Sequence, residues 1–149
     1  MKEAARSAPR TPLARGWALE TLLELTLRRN RWGEALRIAA ELESLSESRS
    51  LRRRYGALRG EVLVRAGQPA VGQGALQRAL ADWPEGEQTA ARVRALRWSC
   101  QAASELGQGA QAWERLEAEL SACADPRSQA ALALIRARVA QPRGEPEQA

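Results

Sequence analysis

Arginine is the residue with most chemistry to offer in this chain. Of 23 basic residues, 22 are arginine and only Lys2 is lysine. The densest run spans residues 49 to 65, where Arg49, Arg52, Arg53, Arg54, Arg59 and Arg65 face Glu61 alone, a local charge of +5 that equals the net charge of all 149 residues. A guanidinium stays charged at any physiological pH and presents its donors in a planar fork, so such a run suits bidentate capture of carboxylates or phosphates. On a helix turning by about 100° per residue, Arg49, Arg52, Arg53 and Arg59 gather on one side, and Leu51, Tyr55, Leu58 and Val62 form an apolar stripe. The plainer reading is a solvated face with i,i+4 partners, and a codon bias toward Arg and Ala fits the composition as well.

Other chemistry is sparse. The absence of His removes the commonest general base and metal ligand together. Cys100 and Cys123 are too few for a thiolate zinc site and too far apart for a C-x-x-C redox pair. They read as small buried helix residues in a reducing compartment. Gly72-Gln73-Gly74 and Gly107-Gln108-Gly109 lack the strand and third glycine of a nucleotide-binding loop and read as turns. Glu117 and Glu119 are i,i+2 neighbours that point to different faces, and Glu41, Glu43 and Glu47 read as a solvated helix end. The chain is expected to be no enzyme and to hold no cofactor or metal. No run of 18 apolar residues is present to span a membrane, and Met1 to Trp17 has no apolar signal core, so a cytoplasmic setting is expected.

The elements that must position these residues read as helices almost throughout. Leu19, Leu22, Leu23 and Thr26 recur at helical spacing up to Asn30, and Trp32, Ala35, Leu36, Ala39 and Leu42 follow at once. So short a connection forces the two helices to pack antiparallel. The stripe from Leu51 to Ala66 ends at Gly67-Gln68-Pro69, a shorter helix runs through Leu76 to Trp83, and a third pair spans about 88–106 and 113–123. Asp125-Pro126 starts a seventh helix over about 126–141. Residues 1–12 and 142–149 read as disordered flanks of one domain over 13–141.

Aligning the turns places Asn30, Gly67, Gly107 and Gly144 in register at separations of 37, 40 and 37 residues, the period of a helical repeat. The units NRWGEALRIAAEL, GQPAVGQGALQRAL and GQGAQAWERLEAEL each carry a small residue five positions after the turn, at Ala35, Gly72 and Ala112. With Gly60 and Cys100 as small residues of the first helix and Pro84 as a closing proline, the chain from about residue 16 onward resembles the tetratricopeptide repeat family. It departs from that pattern in its longer period and in Thr26, Leu63 and Ala103, which stand where the family has Tyr. The resemblance extends to the helical-repeat arms of large bacterial transcription activators. It implies an all-α, right-handed solenoid of helical hairpins, about seven helices in three and a half repeats, whose first helices line a concave surface.

The resemblance further implies a protein-binding adaptor that takes an acidic peptide or a partner helix on that surface. Arg28, Arg54, Arg65, Arg94, Arg97 and Arg138 would project into the groove among Glu20, Glu24 and Glu61. Arg28, Arg54, Arg65, Arg94 and Arg97, with Arg52, Arg53, Arg59 and the helix-opening Trp17, are the candidate partner-binding residues. Trp32, Trp83, Trp98 and Trp113 read as packing residues. The alternatives are a nucleic-acid-binding repeat protein that uses residues 49 to 65, and a self-associating structural module. Leu132, Leu134, Ile135 and Val139 would wrap much of the unpaired seventh helix, which points to a homodimer through that end or to a longer repeat protein.

Overall fold

Thr11 and Pro12 open the first helix in a computed structural model that describes residues 11–84 and 90–122 and, beyond them, Pro126, Gln129, Ala130, Ala133, Leu134 and Ala137. The Thr11 hydroxyl accepts a hydrogen bond from the Ala14 amide at 3.2 Å, and Pro12 supplies a preset φ where its missing N–H costs nothing. The elements are α1 (Pro12–Arg28), α2 (Trp32–Ser44), α3 (Arg49–Arg65), α4 (Pro69–Ala81), α5 (Ala90–Glu105) and α6 (Gly109–Ser121). Among the described residues the fold is all-α, with each helix packed on the next and α3 also packed on α5. That pattern is compatible with a helical repeat.

One turn geometry closes all three hairpins. Asn30, Gly67 and Gly107 have φ of 55°, 84° and 82°, the left-handed region that asparagine and glycine enter at least cost. Each turn is then locked by the same two bonds. The Arg31, Gln68 and Gln108 amides donate to the Thr26, Leu63 and Ala103 carbonyls, and the Asn30, Gly67 and Gly107 amides donate to Leu27, Val64 and Ser104. This is the Schellman closure, which satisfies carbonyls that the helix end leaves open. Thr26, Leu63 and Ala103 thus share a backbone role at the C-terminal end of each first helix.

Pro69 opens α4 rather than merely ending α3, and Gly72-Gln73-Gly74 forms no separate turn but lies in the opening turns of the helix that runs on through Leu76. Its Gly72 serves a close approach to α3. A Cβ on Gly60 would stand 2.6 Å from Leu76 Cγ and 3.0 Å from the Gly72 carbonyl, and one on Gly72 would stand 2.8 Å from the Gly60 carbonyl. The α3 and α4 backbones approach so closely that glycine is required on both sides. Equivalent positions in the third hairpin are Cys100 and Ala112, where the thiol donates to the Ala112 carbonyl at 3.2 Å.

The core forms three clusters along this series of hairpins. Leu23, Leu27, Ala35, Ile38, Ala39, Leu42, Tyr55 and Val62 make the first, Ala57, Leu76, Trp83 and Ala102 belong to the second, and Cys100, Leu116 and Leu120 form the third. Trp32, Trp98 and Trp113 pack partly buried against them, while Trp17 is 64% exposed. Most of the expected seventh helix, with Leu132, Ile135 and Val139, lies outside the described residues, as do residues 1–10 and 142–149. Leu134 is described and exposed. Gly60→Ala is expected to lower stability by about 1–3 kcal/mol through overpacking, despite the better helix propensity of Ala. Gly74→Ala, where a Cβ meets nothing within 4 Å, should raise it by roughly 0.5–1 kcal/mol, both read from urea unfolding midpoints.

Candidate functional site

The first helices of the hairpins, α1, α3 and α5, enclose a cavity of about 270 Å³. Its apolar lining is Leu23 from α1, Ala57 and Leu58 from α3, and Ala90, Ala91 and Ala95 from α5. Charged side chains line the rest, with Glu20 and Glu24 on α1, Arg54 and Glu61 on α3, and Arg94 on α5. The opening exists because α3 packs on α5, whereas α1 stands further from α3 and reaches it through side chains. Tyr55 lies against Gly16, and Arg54 donates to Glu20 at 2.7 Å. Burial raises the Tyr55 pKa above its ordinary value, and the charge and hydrogen bond of Glu20 add to the rise.

Glu61 is the centre of the charge network. Its side chain is 2% exposed. Arg94 grips it with both edges of the fork, Nε to Oε2 at 2.6 Å and Nη2 to Oε1 at 2.9 Å, and Arg65 forms an ion pair with it from one turn along α3 at 2.8 Å. Arg94 also reaches Glu24 on α1 at 2.7 Å, so one guanidinium joins all three helices. Burial works to lower the Arg94 pKa, but the hydrogen bonds and charges of Glu61 and Glu24 hold it above the ordinary arginine value. Arg65 in turn stacks over Trp98 with its guanidinium carbon 4.6 Å from the ring centre, and Arg97 approaches the same ring at 5.9 Å.

The structure therefore sorts the candidate residues into sets. Arg54 and Arg94 line the groove, and Arg65 lies beside it as the second partner of Glu61. Arg97 lies with Arg65 at Trp98. Arg28 is exposed at the end of α1 and lines no described cavity, and Arg138 lies outside the described residues. Arg52, Arg53 and Arg59 turn away from the groove toward α2 and α4, Arg52 and Arg59 on the far side of α3 from Arg54 and Arg53 about 100° round from it. Trp17 shares a helical stripe with Glu20 and Glu24 at i, i+3 and i+7, so its exposed ring stands in line with the groove wall.

Sequence reasoning placed Glu61 in the groove but not its burial. The available signal was its position: the sole acid in an arginine run, three residues from Leu58 and next to Val62 on the buried stripe. The groove can do three things chemically. It can cover an apolar side chain, and it can offer a carboxylate through Glu20 or Glu24. It can also offer a guanidinium through Arg54 or Arg94, in exchange for their present partners. Such exposed exchanges are worth about 0–1 kcal/mol each, so apolar burial must supply affinity while the charges set register.

Glu61→Ala is expected to cost about 3 kcal/mol, because it strands the Arg94 charge in a partly buried site. Glu24→Ala, whose side chain is 45% exposed, should cost no more than about 1 kcal/mol in the same urea titration. Burial, aided by the charge of Glu119, pushes the Cys100 thiol up to about 12. Iodoacetamide at pH 8 should leave Cys100 unmodified in the folded chain and label it after unfolding, as read by peptide mass spectrometry.

Comparison with known proteins finds no matching family model, no matching curated protein and no matching solved structure.

Proposed function

We propose that the protein is a non-enzymatic interaction scaffold that receives a peptide or a partner helix in the groove between α1, α3 and α5. The observation that carries the reading is the combination of an apolar floor with half-exposed ion pairs on the walls. A helix or extended segment lays one or two apolar side chains on Leu23, Leu58 and Ala95. Its polar side chains then exchange with Glu20–Arg54 and Glu24–Arg94. The groove walls hold three carboxylates and two guanidiniums, so the favoured occupant carries both signs of charge rather than acidic groups alone. Trp17 extends the wall with a large ring that a partner can cover at little entropic cost.

On this reading the hairpins stack as a right-handed tetratricopeptide-like solenoid, the groove is its concave face, and the setting is the cytoplasm. The repeated turns at Asn30, Gly67 and Gly107 and the α3–α5 packing support it. A nucleic-acid role for residues 49 to 65 is less well supported. Their arginines divide between two faces, and Arg49, Arg53, Arg54, Arg59 and Arg65 each contact a carboxylate.

The test is site-specific photo-crosslinking in the source cell's lysate, with the photoreactive residue at Trp17 or, as the control, at exposed Val71 on α4. Discrete protein adducts from position 17 alone, resistant to nuclease, are expected. For the captured partner, Trp17→Ala should weaken binding by tenfold or more, about 1.4 kcal/mol, with the helical circular dichroism unchanged. Adducts equal at both positions, or lost on nuclease treatment, would sink the reading.

A further inference from the structure

On the side of α3 away from the groove, a second concavity of about 200 Å³ opens between α2, α3 and α4. Its floor is made of residues with almost no side chain, Gly56, Ala75 and Ala79. Its walls are guanidiniums: Arg52, Arg53 and Arg59 from α3 and Arg78 from α4. The arrangement follows from helical spacing, since residues 52, 56 and 59 stand at i, i+4 and i+7 on one face. Gly56 opens the middle of that face, where a Cβ would stand 3.7 Å from Glu43 and 4.0 Å from the Ala79 methyl.

Two carboxylates border the concavity, and both are engaged. Asp82 takes a two-pronged grip from Arg49, Nε to Oδ1 at 2.9 Å and Nη2 to Oδ1 at 2.5 Å, and Arg53 lies 3.9 Å from its other oxygen. The Arg49 hydrogen bond holds the Asp82 carboxyl below its ordinary range. Glu43 accepts from Arg59 at 3.3 Å. Arg53 is fixed from two sides, by donation to the Asp82 carbonyl at 3.1 Å and by the Trp83 ring 5.8 Å away. Among the described residues, Arg52 and Arg78 make no ion pair within 4.0 Å. Counting Arg49, five guanidiniums thus surround two carboxylates over a floor of small residues.

We infer that this concavity is a binding site for a phosphate monoester. The excess positive charge exceeds what one carboxylate can neutralise, whereas a phosphate monoester brings about −1.5 to −2 at neutral pH. Guanidiniums converge on the concavity from two helices, and a phosphate group offers them three acceptor oxygens where a carboxylate offers two. The small-residue floor lets those oxygens approach between the guanidiniums. Arg53, pinned by Trp83 and Asp82, is the preorganised donor, and Arg52 and Arg78 close over the ligand from the rim. The site stands apart from the groove proposed above and does not depend on it.

The experiment is calorimetric titration of the full chain with inorganic phosphate, O-phosphoserine and adenosine monophosphate, with acetate as the singly charged comparison. Phosphate probes are expected to bind at least tenfold more tightly than acetate. Arg52→Gln combined with Arg78→Gln should weaken them by tenfold or more, and both residues are exposed, so the fold should tolerate the change. Asp82→Asn should tighten binding severalfold by releasing Arg49 and removing a competing negative charge, a gain that misfolding would not produce. Trp17→Ala should leave it unchanged. Stronger binding of O-phosphoserine assigns the site to a phosphorylated partner protein, and stronger binding of the mononucleotide assigns it to a small phosphorylated molecule. Phosphate and acetate binding alike, or binding indifferent to the double arginine substitution, would overturn the assignment.

Discussion

A carboxylate taken out of water must be met by compensating charge or it costs several kcal/mol, and the placement of the first helices turns on how Glu61 is met. Arg65 meets Glu61 from one turn along the same helix, so that ion pair fixes nothing between elements, and the reach of Arg65 to α5 is its stacking on Trp98. Arg94 comes from α5, and its two-pronged grip sets both the distance and the rotation of α5 against α3. The same guanidinium then holds Glu24, so α1 is positioned against a pair that α3 and α5 have already built. Remove the central carboxylate and three helices lose their common reference. The groove is thus a consequence of charge placement as much as of apolar packing, because α1 is held across a gap that side chains span and backbone contact does not close.

The hairpin register explains why the network has this form. Glu24 and Glu61 each stand six residues before their turns at Asn30 and Gly67, and Arg54 and Arg94 each stand thirteen before Gly67 and Gly107. Each glutamate meets an arginine of a later hairpin, so the pairs run along the series rather than within one unit. In the first hairpin the arginine position is occupied by Trp17, and in the third the glutamate position is occupied by Gln101. The line of alternating charge therefore gives way to an aromatic ring at one end and to a neutral amide at the other. A partner lying along the groove would meet those three surfaces in sequence.

Much of this was legible in the sequence, for a definite physical reason. Turns at Asn30, Gly67 and Gly107 are local events governed by which residues tolerate a left-handed φ, and the division of arginines on α3 follows from helical rotation alone. What local pattern could not supply was the neutralising partner. Arg54 meets Glu20, Arg94 meets Glu61 and Arg49 meets Asp82 across 33 or 34 residues, so an arginine run that reads as open charge is largely paired once folded. The same limit hid the role of Pro69 as the first residue of α4, whereas Gly60 and Gly72 were legible as small residues where two helices approach closely. Glu61 looked like one acid among many bases because burial depends on neighbours from α1 and α5.

The two sides of α3 differ in kind. Toward the groove, Arg54 and Arg65 are each matched by a carboxylate, and the surface is apolar between the pairs. Toward α4, guanidiniums outnumber carboxylates and the floor is nearly featureless. One helix separates them, and with side chains its diameter is about 10–12 Å, which exceeds the Debye length of about 8 Å at physiological salt. Charges bound on one face are therefore only weakly felt through solvent on the other. Coupling between the faces would have to run through the packing of α3 itself, and the close Gly60–Gly72 contact makes α3 and α4 shift together if they shift at all. A ligand that pulled Arg78 toward Arg52 would draw α4 toward α3, against a backbone contact with no room left to close. The spacing of α3 and α4 beneath the basic concavity is therefore set by backbone contact, whereas the spacing of α1 from α3 across the groove is set by side chains.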